Sequence, residues 1–187
     1  MPWSPFGLYT LYKDRKGNIW FGTSNVGLYR YDGKTLSRLY EDHLTNTPEG
    51  GSFGIRSIFE DHEGNFWFCN TSYRYKILPG DSVADGESFI RYRKEKGITG
   101  FTTLEGKSAV YFMSIAEDDA HNIWLATYDT GIWRFDGKEM KHFLLSEQGQ
   151  NITIYSVYTD TSGKIWAGTH TSGAWFFNGT SFEKFRP

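Results

Sequence analysis

The amino-acid sequence predicts an all-β fold: a β-propeller of four four-stranded antiparallel meander blades, as a closed four-bladed ring or an arc of a larger propeller. Three observations carry this expectation. A segment built around one Asp and one Trp recurs four times. Each copy is flanked by runs that alternate apolar and polar residues, the period of a half-buried strand. Composition agrees, since 18% of the 187 residues are aromatic and 21 are Gly, whereas Ala and Leu, the common helix formers, number only 7 and 11.

The four copies run Asp14–Thr23, Asp61–Asn70, Asp118–Thr127 and Asp160–Thr169, and their tryptophans (Trp20, Trp67, Trp124, Trp166) lie 47, 57 and 42 residues apart. Those separations fall in or near the range of propeller blades. The first strand of each blade is expected in Leu8–Tyr12, Ile55–Phe59, Tyr111–Ile115 and Tyr155–Tyr158, and the second contains the Trp. An Asp-x-x-Gly turn joins the two, its carboxylate accepting from turn amides and its Gly permitting positive φ. The third strand ends at Asp32-Gly33, Asp136-Gly137 and Asn178-Gly179, which are strong hairpin signals. The fourth is expected in Leu36–Tyr40, Phe89–Arg93, Met140–Leu144 and Phe182–Phe185. Blades therefore span about 8–42, 54–97, 109–146 and 152–187, within one propeller domain or segment covering 1–187. A lone four-stranded sheet buries neither face, so blades must stack, with the flat indole filling the gap between neighbours.

Other features narrow the function. A net charge of −2 without Lys/Arg runs removes the footprint of nucleic-acid binding, and no apolar run approaches a membrane span, so neither partner is expected for this segment. Cys69 is the single cysteine, which excludes an intrachain disulfide and a paired-cysteine metal site; it is expected as a small core residue on a strand. The N-terminus shows no signal-peptide pattern. No nucleophile elbow, phosphate loop or zinc-protease spacing is present, so neither catalytic residues, a metal nor a cofactor is expected. The repeated Asp residues lack the alternating ligand pattern of a calcium loop. Of the five histidines, His43, His62, His121 and His142 are expected at solvated positions, and His170 at a loop facing the propeller opening.

The set of motifs, from Leu8 to Phe185, resembles the two-component regulator propeller repeat, carried most fully by Asp14-Arg15-Lys16-Gly17-Asn18-Ile19-Trp20-Phe21-Gly22-Thr23 and Gly27-Leu28-Tyr29-Arg30-Tyr31-Asp32-Gly33. The second copy departs from it, with Cys69-Asn70 for Gly-Thr, Ser72–Tyr75 at the start of the third strand, and an insert over Pro79–Ser88. The third has His121 in place of the turn Gly. The resemblance implies a bacterial, periplasmic or extracellular sensor region that binds a ligand without catalysis, with a small glycan as the first class to test. It also implies a downstream signalling partner that these residues do not contain. Loops joining strands two to three vary between copies while the framework repeats, so recognition is expected there, from Asn25, Tyr73, Arg74, Tyr128, Asp129 and His170. Two other readings stand beside it: a scaffold that self-associates through exposed blade faces, and a metal-dependent lyase of the kind that opens cyclic antibiotics on a similar repeat.

Overall fold

The computed structural model describes residues 7–47, 51–98, 111–128 and 130–186, grouped in two compact units, Met1–Thr99 and Gly100–Pro187. Each unit holds two blades, and each blade is the predicted antiparallel meander.

In the first unit, blade one comprises β1 (Leu8–Lys13), β2 (Ile19–Thr23), β3 (Leu28–Tyr31) and β4 (Leu36–Leu39). A single 3-10 turn, Asp42–Leu44, leads on to β5 (Ile58–Glu60), β6 (Phe66–Phe68) and β7 (Tyr73–Ile77) of blade two. The Pro79–Ser88 insert is not a loop. It forms a hairpin of β8 (Ser82–Ala84) and β9 (Glu87–Phe89), and β9 pairs in parallel with β4, so the first sheet has six strands. Arg30 holds the hairpin by donating to both oxygens of Asp81 at 2.7 Å, and Ser37 Oγ bonds Asp81 and Ser88 Oγ. Phe89 is thereby drawn to the first sheet. The outer strand of blade two is β10 (Tyr92–Lys96), which pairs with β7 three residues beyond the expected start.

In the second unit, blade three is β11 (Ser114–Glu117), β12 (Ile123–Ala126), β13 (Ile132–Phe135) and β14 (Met140–Phe143). A two-strand hairpin, β15 (Ser146–Glu147) and β16 (Gln150–Asn151), precedes blade four, which is β17 (Ile154–Thr159), β18 (Ile165–Thr169), β19 (Ala174–Phe177) and β20 (Phe182–Lys184).

The repeated Asp does more than close a turn. In every blade one carboxylate oxygen accepts the indole N–H of the Trp six residues on, at 2.7–2.9 Å (Asp14–Trp20, Asp61–Trp67, Asp118–Trp124, Asp160–Trp166). The other accepts the backbone N–H four residues on. This couples turn and indole, so each Trp lies in one orientation across its sheet. Side chains alternate along a strand, so Trp20 lies on one face of β2 while Ile19 and Phe21 lie on the other. Trp20 packs on Phe66 and Phe68 of blade two, with ring centroids 4.7 and 5.7 Å away. Trp124 packs likewise on Phe177 and Phe182 of blade four, at 4.9 and 5.9 Å. Arg15 and Tyr12 add polar ties between blades one and two, through the Glu60 carbonyl and the Glu60 N–H.

Two departures from the repeat have local causes. His121 takes φ +64, the conformation that Gly17, Gly64 and Gly163 adopt at φ 75–86 in the other turns. Cys69 stands where blade one has Gly22, whose place is set by the chain passing to the next blade: a Cβ there would lie 2.5 Å from the Ile55 carbonyl oxygen. Cys69 lies beyond the end of β6 in a bend at φ 46, not on a strand, and is fully buried, its thiol donating to the Gly54 carbonyl at 3.1 Å. Burial pushes its pKa up to about 12, so this thiol is an inert core group.

Candidate functional site

The loops between second and third strands are built by a second repeated device. Thr23, Thr127 and Thr169 each donate their hydroxyl to the carbonyl of the Gly four residues on (Gly27, Gly131, Gly173), at 2.7–2.8 Å. Asn70 replaces this Thr in blade two; its amide donates to the His43 carbonyl and its oxygen accepts from Ser72 N.

In the second unit two expected site residues come together through a third. The Tyr155 ring, at the start of β17, lies 5.3 Å edge-on from His170 and 6.1 Å from Tyr128. All three are exposed, and the His170 N–H is fixed by the Thr153 carbonyl at 3.0 Å. Beside His170 lies a polar groove of about 250 Å³ between the β15–β16 hairpin and the loop after β18. Glu147, Gln148, Gln150, Asn151, Thr153 and Ser172 contribute its polar groups. Glu147 is fixed rather than free. Ser172 Oγ donates to one of its oxygens and Lys184 Nζ to the other, both at 2.6 Å, and these donors hold its carboxyl below the usual range. Trp175 Nε1 donates in turn to Ser172 Oγ, so the groove wall is tied to the core of blade four.

Three of the other expected residues belong to the first unit. Tyr73 and Arg74 lie on β7, not in a loop, because blade two lacks the Gly that opens the third strand elsewhere. Arg74 is engaged by Glu63 at 2.9 Å and by Glu95 at 3.5 Å. Asn25 is an exposed loop residue whose side-chain oxygen accepts from Ser24 Oγ at 3.4 Å. Asp129 lies outside the described residues.

The first unit holds a polar aromatic network that the sequence reading passed over. Glu41 accepts from Tyr92 Oη at 2.5 Å and Lys94 Nζ at 2.8 Å, and pairs with His43 Nε2 at 3.1 Å. His43 Nε2 also meets Tyr75 Oη at 2.7 Å, and its ring lies edge-on to Tyr73. Burial pushes Glu41 up, but the Lys94 ammonium and the Tyr92 hydroxyl outweigh it, and the carboxyl ends below its ordinary value. Burial lowers His43. His43 is therefore half-buried and bonded rather than solvated. His142 departs from expectation too, stacking on Trp133 at 4.0 Å with its Nε2 against the Thr130 carbonyl.

Residues 7–25 match the family described as Two component regulator propeller. No curated protein sequence matches the chain. Among solved structures it is similar to the extracellular domain assigned to a hybrid two component system of B. thetaiotaomicron, with a TM-score of 0.65 and 19% identity over 96% of this chain and 23% of that one. It is also similar to a streptogramin B lyase (TM-score 0.63, 12% identity, 99% of this chain and 56% of that one). A virginiamycin B lyase from Staphylococcus aureus gives a TM-score of 0.61 and 15% identity over 98% and 57% of the two chains. The chain thus spans about a fifth to a quarter of the sensor domain and a little over half of each lyase. At these identities the likeness is one of fold, and the fold is that of β-propeller blades.

Proposed function

We propose that this chain is a ligand-binding sensor propeller segment, extracytoplasmic in placement, that takes a small glycan at its loop face. The observation that carries the reading is the groove beside His170. Exposed aromatic rings (Tyr155, Tyr128) adjoin hydrogen-bonding groups fixed in place by the fold. A sugar presents a C–H face that packs on an aromatic ring and hydroxyls that amides, carboxylates and imidazoles can read. The similar B. thetaiotaomicron structure, described as an extracellular domain of a two component system, supports the placement and the sensing role. Among the described residues no helix is long and apolar enough to cross a membrane. Titration calorimetry against a panel of neutral oligosaccharides tests the reading. Saturable binding that is lost in Tyr155→Ala and in His170→Ala is expected, and no binding across the panel refutes it.

A lyase is the second reading, favoured by the fold likeness to two antibiotic lyases over nearly the whole chain. In the groove beside His170 both oxygens of Glu147 are already held, by Ser172 and Lys184, so this carboxylate is not free to ligate a metal. Metal-dependent consumption of a streptogramin, abolished by His170→Ala, would favour this reading over the sensor.

A further inference from the structure

Each blade has a Trp face and a receiving face, and the interior blade pair of each unit shows how one meets the other. In the first unit, Trp20 of blade one seats on Phe66 and Phe68 of blade two, and Tyr12 Oη beside it accepts the Glu60 N–H. The repeat then identifies the equivalent surfaces elsewhere. On blade one, Ile19 and Phe21 stand where blade two has Phe66 and Phe68, and Leu11, paired with Phe21, stands where Ile58 is paired with Phe68.

That receiving face of blade one is open. Leu11 is 61% exposed, while its counterparts Ile58, Ile115 and Val157 are 5%, 7% and 4% exposed. An apolar depression of about 280 Å³ lined by Leu8, Phe21, Val26, Tyr29 and Leu36 lies on the same sheet. The matching Trp face is open on blade four. Trp20, Trp67 and Trp124 are buried, but Trp166 is only partly so, and Tyr158, the counterpart of Tyr12, is 62% exposed. Phe185, whose ring lies edge-on to Trp166 at 5.4 Å, is exposed as well. One open knob-bearing face and one open receiving face of the same repeat are complementary by construction, and contiguous apolar surface of this kind marks an interaction site.

We infer that the Trp166 face of one copy seats on the Leu11–Phe21 face of a second copy, joining copies head to tail through a contact that reproduces the one between blades one and two. The Tyr158 hydroxyl would then meet the backbone N–H of Lys13 in the second copy, as Tyr12 meets that of Glu60. This contact is separate from the loop groove and stands or falls without the ligand reading. Such a contact is heterologous, so each copy offers two different halves and one damaged half cannot be replaced by itself.

The test is light scattering behind a sizing column, over a dilution series, on the full chain and on Leu11→Glu and Tyr158→Glu. Both changes lie at exposed positions, and far-UV circular dichroism confirms that each variant is folded. The full chain is expected at a multiple of 21.5 kDa and each variant at 21.5 kDa. An equimolar mixture of the two variants is expected to recover a species of twice that mass, because one intact half remains on each. A monomeric full chain overturns the inference, whether its faces are covered from within the chain or by nothing. Association that survives either substitution, or variants whose mixture stays monomeric, overturns it too.

Discussion

Replacing Asp61 by Ala isolates the device that repeats in every blade. The Asp61 side chain sits in a site only 3% exposed, where it accepts from Trp67 Nε1 at 2.9 Å, from the Asn65 backbone N–H at 2.9 Å and from the Asn65 amide. Truncation leaves the indole N–H and one backbone N–H buried without an acceptor, and each orphaned donor costs about 1–3 kcal/mol. The expected loss is therefore about 2–6 kcal/mol, read as a lower urea midpoint at unchanged slope, with far-UV circular dichroism as the probe. A cycle with Trp67→Phe separates the two donors. Phe has no indole N–H, so in that background the Asp61→Ala cost should shrink by about 1–2 kcal/mol. A loss below about 0.5 kcal/mol, the range of ordinary surface changes, would refute the argument. So would a cycle that is additive to within about 0.3–0.5 kcal/mol, since the carboxylate and indole would then not be coupled.

Trp124→Ala removes the ring packed on Phe143, Phe177 and Phe182 and should cost about 3–5 kcal/mol by the same denaturation assay. His121→Gly should stabilise the second unit by about 1 kcal/mol, because Gly adopts φ +64 without the steric cost that a Cβ brings there. Burial holds the folded-state pKa of His43 below its ordinary 6.5, so the unfolded chain binds more protons in the window between the two. Stability should accordingly fall on acidification through about pH 6.5, and His43→Gln should flatten that slope in a pH series of melting temperatures. Cys69 should resist a thiol reagent in the native protein and react fully in denaturant, since burial keeps it protonated and covered; rapid native labelling would show that the bend after β6 opens.

The blade plan was legible because its determinants are local. Asp and Trp lie six residues apart in every copy, the turn Gly of three copies and the Asp-Gly or Asn-Gly hairpin of three copies lie within 20 residues of that Asp, and alternation fixes which residues share a face. The Asp-to-Trp hydrogen bond was present in the pattern as a constant six-residue separation, though only the geometry showed the indole N–H aimed at the carboxylate. The placement of His170 and Tyr128 at exposed loops was legible too, by contrasting what varies between copies with what repeats.

What the sequence by itself determined is therefore the unit: a four-stranded meander with its Trp on one face and its receiving residues on the other. Tertiary structure alone decided how units and inserts meet. Parallel docking of the Ser82–Phe89 hairpin on β4 depends on Arg30 reaching Asp81, 51 residues away. Tyr155 joins Tyr128 to His170 across 27 and 15 residues of chain, and Glu41 gathers Tyr92 and Lys94 from the far edge of the next blade. Periodicity registers neighbours along the chain, and it carries no term for pairs that only folding brings within hydrogen-bonding distance.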